Sequence, residues 1–169
     1  MLWTKPPEPP DPATLTLRRV LLASEGRRFP AAAVVFAAEL AARSATPIQV
    51  LSIARVWGTS LGFHNPNLYP SRQEWDQQRE LVAEAVRALE ERGLEATGQV
   101  VATRSATRRI VETARKTGCD AIVMAAEPPR HWVVADFLWS QEPYRVRRRA
   151  KLPVYLVPIE GATVAGGAS

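Results

Sequence analysis

Residues 105–125 read SATRRIVETARKTGCDAIVMA, and this stretch decides the fold class. Ser105 is predicted to cap a helix that carries apolar residues at helical spacing and ends at Gly118. The run that follows, 120–125, is apolar after its first residue, which is typical of a parallel strand covered on both faces. A helix that leads directly into a buried strand indicates an α/β sheet.

The same alternation of strand and helix continues on both sides of this stretch. Helices are predicted over 31–44, 71–93, 105–118 and 143–150, and strands over 17–24, 47–56, 94–103, 120–125 and 152–157. Glu74 lies three residues after Ser71, which predicts a capping box, and Gly98 interrupts the third strand. The pattern predicts an α/β fold with a parallel, doubly wound sheet and right-handed crossovers.

Three segments differ from this core in composition. Residues 1–16 begin with a proline-rich run and are predicted to form an extended arm. Residues 17–159 are predicted to form one domain, and 160–169 a flexible tail. The connections 57–70 and 128–142 are long, and long connections in compact domains are often functional.

Composition excludes several classes of protein. The 169 residues, 46% of them hydrophobic, suffice for one core, and no apolar run is long enough to cross a membrane. The start of the chain resembles no secretory signal, and the single cysteine excludes an internal disulfide framework. We therefore expect a cytoplasmic domain without a membrane partner. The net charge of +5 is compatible with anionic partners but identifies none.

Three segments in this order resemble the universal stress protein family. They are RRVLLASEG at 18–26, DAIVMA at 120–125 and LPVYLVP at 152–158. The resemblance extends from Leu17 to Pro158, and it implies a five-stranded parallel sheet of order 3-2-1-4-5 with helices on both faces. It also implies a homodimer in which the last strand, through Val154 and Leu156, contacts a second subunit.

The nucleotide-binding pattern of that family is degenerate here. Members that bind ATP carry three spaced glycines after the fourth strand. The first and second are separated by two residues, the second and third by nine, and the third is followed by serine or threonine. Glycine is needed at these positions because it lets main-chain N–H groups approach phosphate. Counted forward, the glycine positions fall on Ala125, Pro128 and Leu138; counted backward, the last falls near Ser140. No glycine lies between residues 118 and 161, Pro128 and Pro129 cannot donate, and Trp132 and Trp139 add bulk. We expect that ATP is not bound in the usual way.

An alternative is a sensor that holds ATP or another adenine nucleotide in a remodelled pocket. The family's aspartate after the first strand falls on Glu25, beside Ser24. Glu25 and Ile53 would then face adenosine, while Arg130 and Ser140 would replace main-chain contacts to phosphate. The full set of residues for this vestigial pocket is Ser24, Glu25, Ile53, Met124, Ala125, Arg130 and Ser140.

No catalytic or metal site is expected. Glu127, Arg130, His131 and Asp136 share one loop, but a long loop contains such residues by chance, and His64 lies in another loop. No serine, histidine and acid set has the context of a nucleophile. We therefore expect a protein that is not an enzyme and needs no cofactor.

The remaining candidates are aromatic and basic. Trp132, Phe137, Trp139 and Tyr144 could plug the pocket, line an apolar ligand site, form a subunit contact or belong to the core. The basic run Arg145, Arg147, Arg148, Arg149 and Lys151 complements a helix dipole, and nucleic-acid binding is the weaker alternative. Cys119 is expected to be a small residue beside the fourth strand.

The leading interpretation is a non-catalytic regulatory domain of the stress response with an unidentified protein partner.

Overall fold

The protein forms one parallel five-stranded sheet with the strand order β3-β2-β1-β4-β5. A computed structural model describes residues 8–56, 69–127 and 141–159. The strands are β1 Val20–Ser24, β2 Ile48–Arg55, β3 Ala96–Thr103, β4 Ala121–Ala126 and β5 Val154–Pro158. The helices are α1 Ala31–Ala42, α2 Arg72–Glu90, α3 Ala106–Lys116 and α4 Glu142–Arg149, preceded by one turn of 3-10 helix, Pro12–Thr14. The predicted fold class and strand order are confirmed.

The helices cover both faces of the sheet. On one face, α1 and α2 pack on the side chains of Val20, Leu22 and Val50. On the other, α3 and α4 pack on those of Leu21 and Leu51. Neighbouring residues of one strand therefore point into different cores, as the two-residue period of a strand requires. None of the helices in the described ranges has the length and apolar character needed to cross a bilayer.

Local sequence signals predict the start of α2 in full and the start of α3 in part. The predicted capping box of α2 is present: the Ser71 N–H donates to Glu74 Oε2 over 2.6 Å, and Ser71 Oγ accepts from the Glu74 N–H over 3.2 Å. Ser105 occupies the N-cap position of α3, as predicted, but its side chain makes no capping hydrogen bond. The carboxylate of Glu142 takes that role instead, accepting from the Thr107 N–H over 3.2 Å.

Gly98 does not interrupt β3. The strand is continuous, and a Cβ added at Gly98 would lie 2.4 Å from Cγ1 of Val82 in α2. The missing side chain therefore allows α2 to pack directly on the strand backbone, which is the usual reason for a glycine inside a strand.

The contacts and burial of residues in β5, an edge strand of the sheet, bear on the predicted arm and the predicted homodimer. The Tyr155 hydroxyl donates to the carbonyl of Pro10 over 2.8 Å, so the described part of the arm contacts β5. Val154 is buried, with 2% of its surface exposed, and Leu156 is partly buried. Contact with a second subunit through Val154 would therefore involve its backbone, and the homodimer stays a prediction. Residues 1–7 of the arm and the predicted tail, 160–169, lie outside the described residues.

Asp120 joins the amino ends of β1 and β4. Its Oδ2 accepts from the Arg18 N–H over 2.6 Å, and its Oδ1 lies 3.0 Å from Arg18 Nη2. Burial acts to raise the pKa of Asp120, but the hydrogen bonds and charge of Arg18 outweigh it, so the pKa lies below its ordinary value. A carboxyl whose pKa is lowered by folding stabilises the protein above its unfolded-state pKa and loses that contribution as pH falls through the folded value.

We therefore expect Asp120→Asn to flatten the acid limb of the stability profile below about pH 5, where an ordinary aspartate begins to protonate. At neutral pH the same variant should lose about 1 kcal/mol of unfolding free energy, the usual size for a lost hydrogen bond. Urea denaturation between pH 3 and pH 7 measures both effects. Glu80→Gln is the control, because that side chain is 65% exposed and pairs with Arg87 on the surface. Parallel profiles for wild type and Asp120→Asn would contradict the expectation.

Candidate functional site

The candidate site lies where the carboxyl ends of β1 and β4 meet. Since β1 lies between β2 and β4, the connections from β1 and β4 leave toward opposite faces of the sheet. Ligands of open α/β sheets bind in the crevice at such a switch point. Ser24 and Glu25, at the end of β1, are both buried, with 6% and 5% of their surfaces exposed. Ser24 Oγ donates to the carbonyl of Arg27 over 2.6 Å, which closes the turn that follows the strand.

Arg27 joins the ends of the two strands. Its Nε and Nη2 each lie 2.7 Å from Glu25 Oε1, and its Nη1 lies 3.2 Å from Glu127 Oε1. The Glu25 side chain is 4% exposed, and those of Arg27 and Glu127 are 36% and 35% exposed. One guanidinium thus spans the switch point between a buried and a half-exposed carboxylate. We call this arrangement the Arg27 bridge.

A turn at Gly26 positions the Arg27 bridge. Gly26 has a φ of +107°, a conformation that L side chains rarely adopt, and its carbonyl accepts from Gln78 Nε2 over 2.9 Å. Gln78 Oε1 in turn accepts from the hydroxyl of Ser52 over 2.5 Å, and Arg55 Nε donates to the carbonyl of Glu25 over 3.2 Å. Side chains from α2 and β2 therefore hold the backbone from which the bridge extends.

A small cavity lies beside the bridge at the amino end of α1. Its volume is about 210 Å³, and Ser24, Glu25, Arg27 and Ala125 contribute to its lining. Pockets for small-molecule ligands usually measure about 300–1,000 Å³, so this cavity is small for a nucleotide. Three of the residues predicted for the vestigial pocket, Ser24, Glu25 and Ala125, are brought together here.

The other predicted pocket residues lie elsewhere. Ile53 and Met124 are fully buried and pack in the core beneath α3 and α4. Arg130 and Ser140 lie outside the described residues. Sequence reasoning missed Arg27, Gln78 and Arg55. The only available signal was the position of Arg27 two residues after Glu25.

Most candidates from the two long connections, 57–70 and 128–142, lie outside the described residues. This applies to His64, His131, Asp136, Trp132, Phe137 and Trp139. Tyr144 is described: its hydroxyl donates to the carbonyl of Glu127, and burial raises its pKa above the ordinary value. Within 8–56, 69–127 and 141–159, no three His, Cys, Asp or Glu side chains are grouped so as to hold a metal ion.

The basic run of α4 points in two directions. Arg145, Arg148 and Arg149 line an open groove between α3 and α4. Arg147 instead lies beside β5 and the described part of the arm.

Cys119, expected beside β4, is buried against the core, and burial raises the pKa of its thiol. A buried thiol of raised pKa is a poor nucleophile, which agrees with a packing role.

The comparisons with known proteins agree with this architecture. The model of the universal stress protein family matches residues 16–158. No curated protein has a significantly similar sequence.

Solved structures with the same fold cover most of the chain. A protein of the universal stress protein family from Burkholderia pseudomallei is 22% identical, with a TM-score of 0.62, over 84% of this chain and 96% of that one. The universal stress protein from Archaeoglobus fulgidus in complex with dAMP is 17% identical, with a TM-score of 0.62, over 85% and 99%. A universal stress protein in complex with cAMP is 19% identical, with a TM-score of 0.61, over 85% and 98%. At these identities the likeness establishes the fold alone.

Proposed function

The chain belongs to the universal stress protein family, and on that premise we propose that it is a non-catalytic regulatory domain of the stress response. In this proposal the switch-point crevice does not hold ATP in the usual way, and the domain acts through a protein partner. The crevice offers a surface for binding and contains the Arg27 bridge, an ion-pair cluster that joins the ends of β1 and β4. Among the described residues we identify no nucleophile paired with a base, so no reaction is assigned.

The Arg27 bridge is the observation that carries the proposal. It holds two carboxylates, those of Glu25 and Glu127, at the ends of the two strands between which a nucleotide would lie. The Arg27 guanidinium is engaged by these two carboxylates, so it is not available to an incoming triphosphate while the bridge is closed. To admit a ligand there, Arg27 would have to leave a carboxylate that is 4% exposed, and burying an unpaired charge is costly.

The sequence after β4 supports the same conclusion. The position of the first glycine in the family pattern is occupied by Ala125, and no glycine follows before residue 161. Main-chain N–H groups approach phosphate most closely where no Cβ intervenes, and proline at 128 and 129 removes two donors. This stretch of sequence therefore lacks the glycines on which the family's phosphate-binding pattern depends.

The second candidate is an adenine-nucleotide sensor with a remodelled pocket. Two structures with the same fold are complexes with dAMP and cAMP. In this chain the cavity at the switch point also includes Arg28, a second cation that could meet a phosphate. This candidate requires the Arg27 bridge to open, because Glu25 would otherwise remain engaged.

Native mass spectrometry of the gently purified protein separates the two candidates. We expect the mass of the bare polypeptide, or of its homodimer, with no adenine nucleotide attached, and the same spectrum after incubation with AMP. A mass increment of one nucleotide per chain would favour the sensor. A relative purified in complex with a nucleotide serves as the positive control for survival of such complexes in the instrument.

We also propose that the domain is a cytoplasmic homodimer that pairs through β5. The exposed side of an edge strand offers backbone groups for pairing with a second strand. The same spectra, with sedimentation velocity over the micromolar range, test this. A single monomeric species at every concentration would contradict it without affecting the nucleotide result.

A further inference from the structure

An open cavity crosses the free edge of β5, and the N-terminal arm forms one of its walls. β5 is the last strand in the sheet order and pairs with β4. The cavity measures about 400 Å³, and its lining includes Phe36 of α1, Arg147 of α4 and residues 8–12 of the arm. Since α1 and α4 cover opposite faces of the sheet, a cavity that touches both passes around the edge of β5. Residues 8–12, which we call the strap, therefore lie alongside that edge.

The strap is held by two sets of contacts. The hydroxyl of Tyr155, a buried residue, donates to the carbonyl of Pro10 over 2.8 Å. One residue further along the chain, Asp11 Oδ1 accepts from the Ala13 N–H over 2.8 Å and so begins the 3-10 turn Pro12–Thr14. Burial, together with the charge of Asp11, raises the pKa of Tyr155, so its hydroxyl keeps the proton that it donates. The strap is therefore fixed at Tyr155 and at the turn that follows it.

The backbone of β5 presents hydrogen-bonding groups on the side away from β4. The Ile122 N–H donates to the carbonyl of Pro153 over 2.9 Å, so the backbone groups of residue 153 face β4. Because these groups alternate in direction along a strand, those of residues 155 and 157 face β4 as well. The N–H and carbonyl groups of Val154 and Leu156 therefore point outward, where a second strand would pair with them.

The composition of the strap suits a cover better than an added strand. Positions 9, 10 and 12 are proline, so only residues 8 and 11 of the strap carry an N–H. Within the described part of the arm, 8–16, the backbone forms a 3-10 turn and no strand. Proteins commonly protect an edge strand with proline or with a covering loop, because its outward backbone groups attract strands of other chains. The strap thus shields the edge of β5 without extending the sheet.

We propose that the strap is an autoinhibitory cover on β5, which residues 8–12 must leave before a second copy of this chain pairs with that edge. The proposal rests on the proposed homodimer and adds its regulation. Paired strands lie about 4.8 Å apart, so a second β5 needs the space beside Leu156 along which the strap lies. The strap and the second copy therefore compete for one edge, and weakening the strap strengthens the dimer.

Two variants loosen the strap at its two points of attachment. Tyr155→Phe removes the hydroxyl that donates to Pro10 and keeps the ring, and Asp11→Ala removes the acceptor that begins the 3-10 turn. Sedimentation velocity over the micromolar range measures the dissociation constant of the dimer for each full-length chain. We expect this constant to fall about fivefold in each variant, which corresponds to the loss of one hydrogen bond from the closed strap.

Each strap variant has a matched control. Tyr144→Phe also removes one phenol hydroxyl, but that hydroxyl contacts the carbonyl of Glu127 and not the strap. Asp76→Ala also removes one negative charge, from a side chain that is 63% exposed on α2, which packs on β2 and β3 at the other end of the sheet. Neither control should change the dissociation constant measurably.

Amide hydrogen exchange follows the release of the strap itself. At concentrations where the chain is monomeric, the N–H groups of Val154 and Leu156 should exchange faster in both strap variants than in the wild type, because exchange reports local opening. The controls should exchange at these positions as the wild type does. Unchanged exchange in the strap variants would contradict the cover.

Other results would also overturn the proposal. These are a dissociation constant that is unchanged or higher in either strap variant, or one that falls equally in the controls. Faster exchange at Val154 and Leu156 without any dimer would show that the edge serves a different partner. A wild type that stays monomeric while both strap variants dimerise would contradict the homodimer of the intact chain and support the strap. The homodimer and the strap therefore fail through different results.

Discussion

Gly26→Ala is expected to lower the free energy of unfolding by about 3 kcal/mol, combining backbone strain with overpacking. Gly26 has a φ of +107°, and an added Cβ would lie 2.7 Å from the carbonyl oxygen of Ile53. That oxygen belongs to a strand backbone and cannot move aside as the end of a flexible side chain would. Urea denaturation, followed by circular dichroism, measures the loss.

Gly93→Ala is the matched control. Gly93 also has a positive φ, +78°, but nothing lies within 4 Å of the position that its Cβ would take. Its replacement should cost only the backbone strain, about 1 kcal/mol. The difference between the two variants therefore isolates the close approach of Gly26 to β2. Equal losses would show that the turn at the end of β1 is looser than described.

Arg27→Met is expected to cost about 2 kcal/mol of unfolding free energy. Breaking a buried ion pair typically costs about 3–5 kcal/mol, and the smaller value allows for the 36% exposure of the Arg27 side chain. The loss arises mainly at Glu25, whose carboxylate stays buried after its two contacts of 2.7 Å are removed. Thermal and urea denaturation measure the effect.

Two further variants show whether the buried charge is the cause. Arg28→Met removes the neighbouring arginine, whose pair with Glu84 is 73% and 41% exposed, and should leave the stability nearly unchanged, because exposed ion pairs contribute little. Glu25→Gln combined with Arg27→Met should recover much of the loss, because no buried charge is then left without its partner. Glu127 also loses Arg27, but its side chain is 35% exposed. If the double variant is less stable than Arg27→Met alone, the account of the Arg27 bridge is wrong.

The fold was predictable because its signals are local and repeated. A continuous apolar run such as 120–125 identifies a strand without knowledge of its neighbours, and the capping box at Ser71 marks the start of a helix by itself. The two failures involve contacts between distant elements. Gly98 reads as an interruption until α2 is known to pack on it, and Ser105 reads as a cap until Glu142 is known to reach Thr107.

The candidate site was less predictable for the same reason. Ser24 and Glu25 follow from the rule that ligands bind at the ends of parallel strands. Their partner Arg27 becomes visible only when Glu127, a hundred residues later, is placed beside it. Ile53 and Met124 were assigned by resemblance, whereas the sheet places both side chains in the core beneath α3 and α4.

Calorimetric titration with ATP at millimolar concentration tests the central claim most directly. We predict no saturable heat for the wild-type chain, because the Arg27 bridge engages both carboxylates at the switch point and the sequence after Ala125 lacks the glycines of the family's phosphate pattern. Repeating the titration on Arg148→Glu/Arg149→Glu separates a nucleotide held in the crevice from one attracted to the arginines that line the open groove between α3 and α4. Saturable binding of one ATP per chain, unchanged in that variant, would contradict the account.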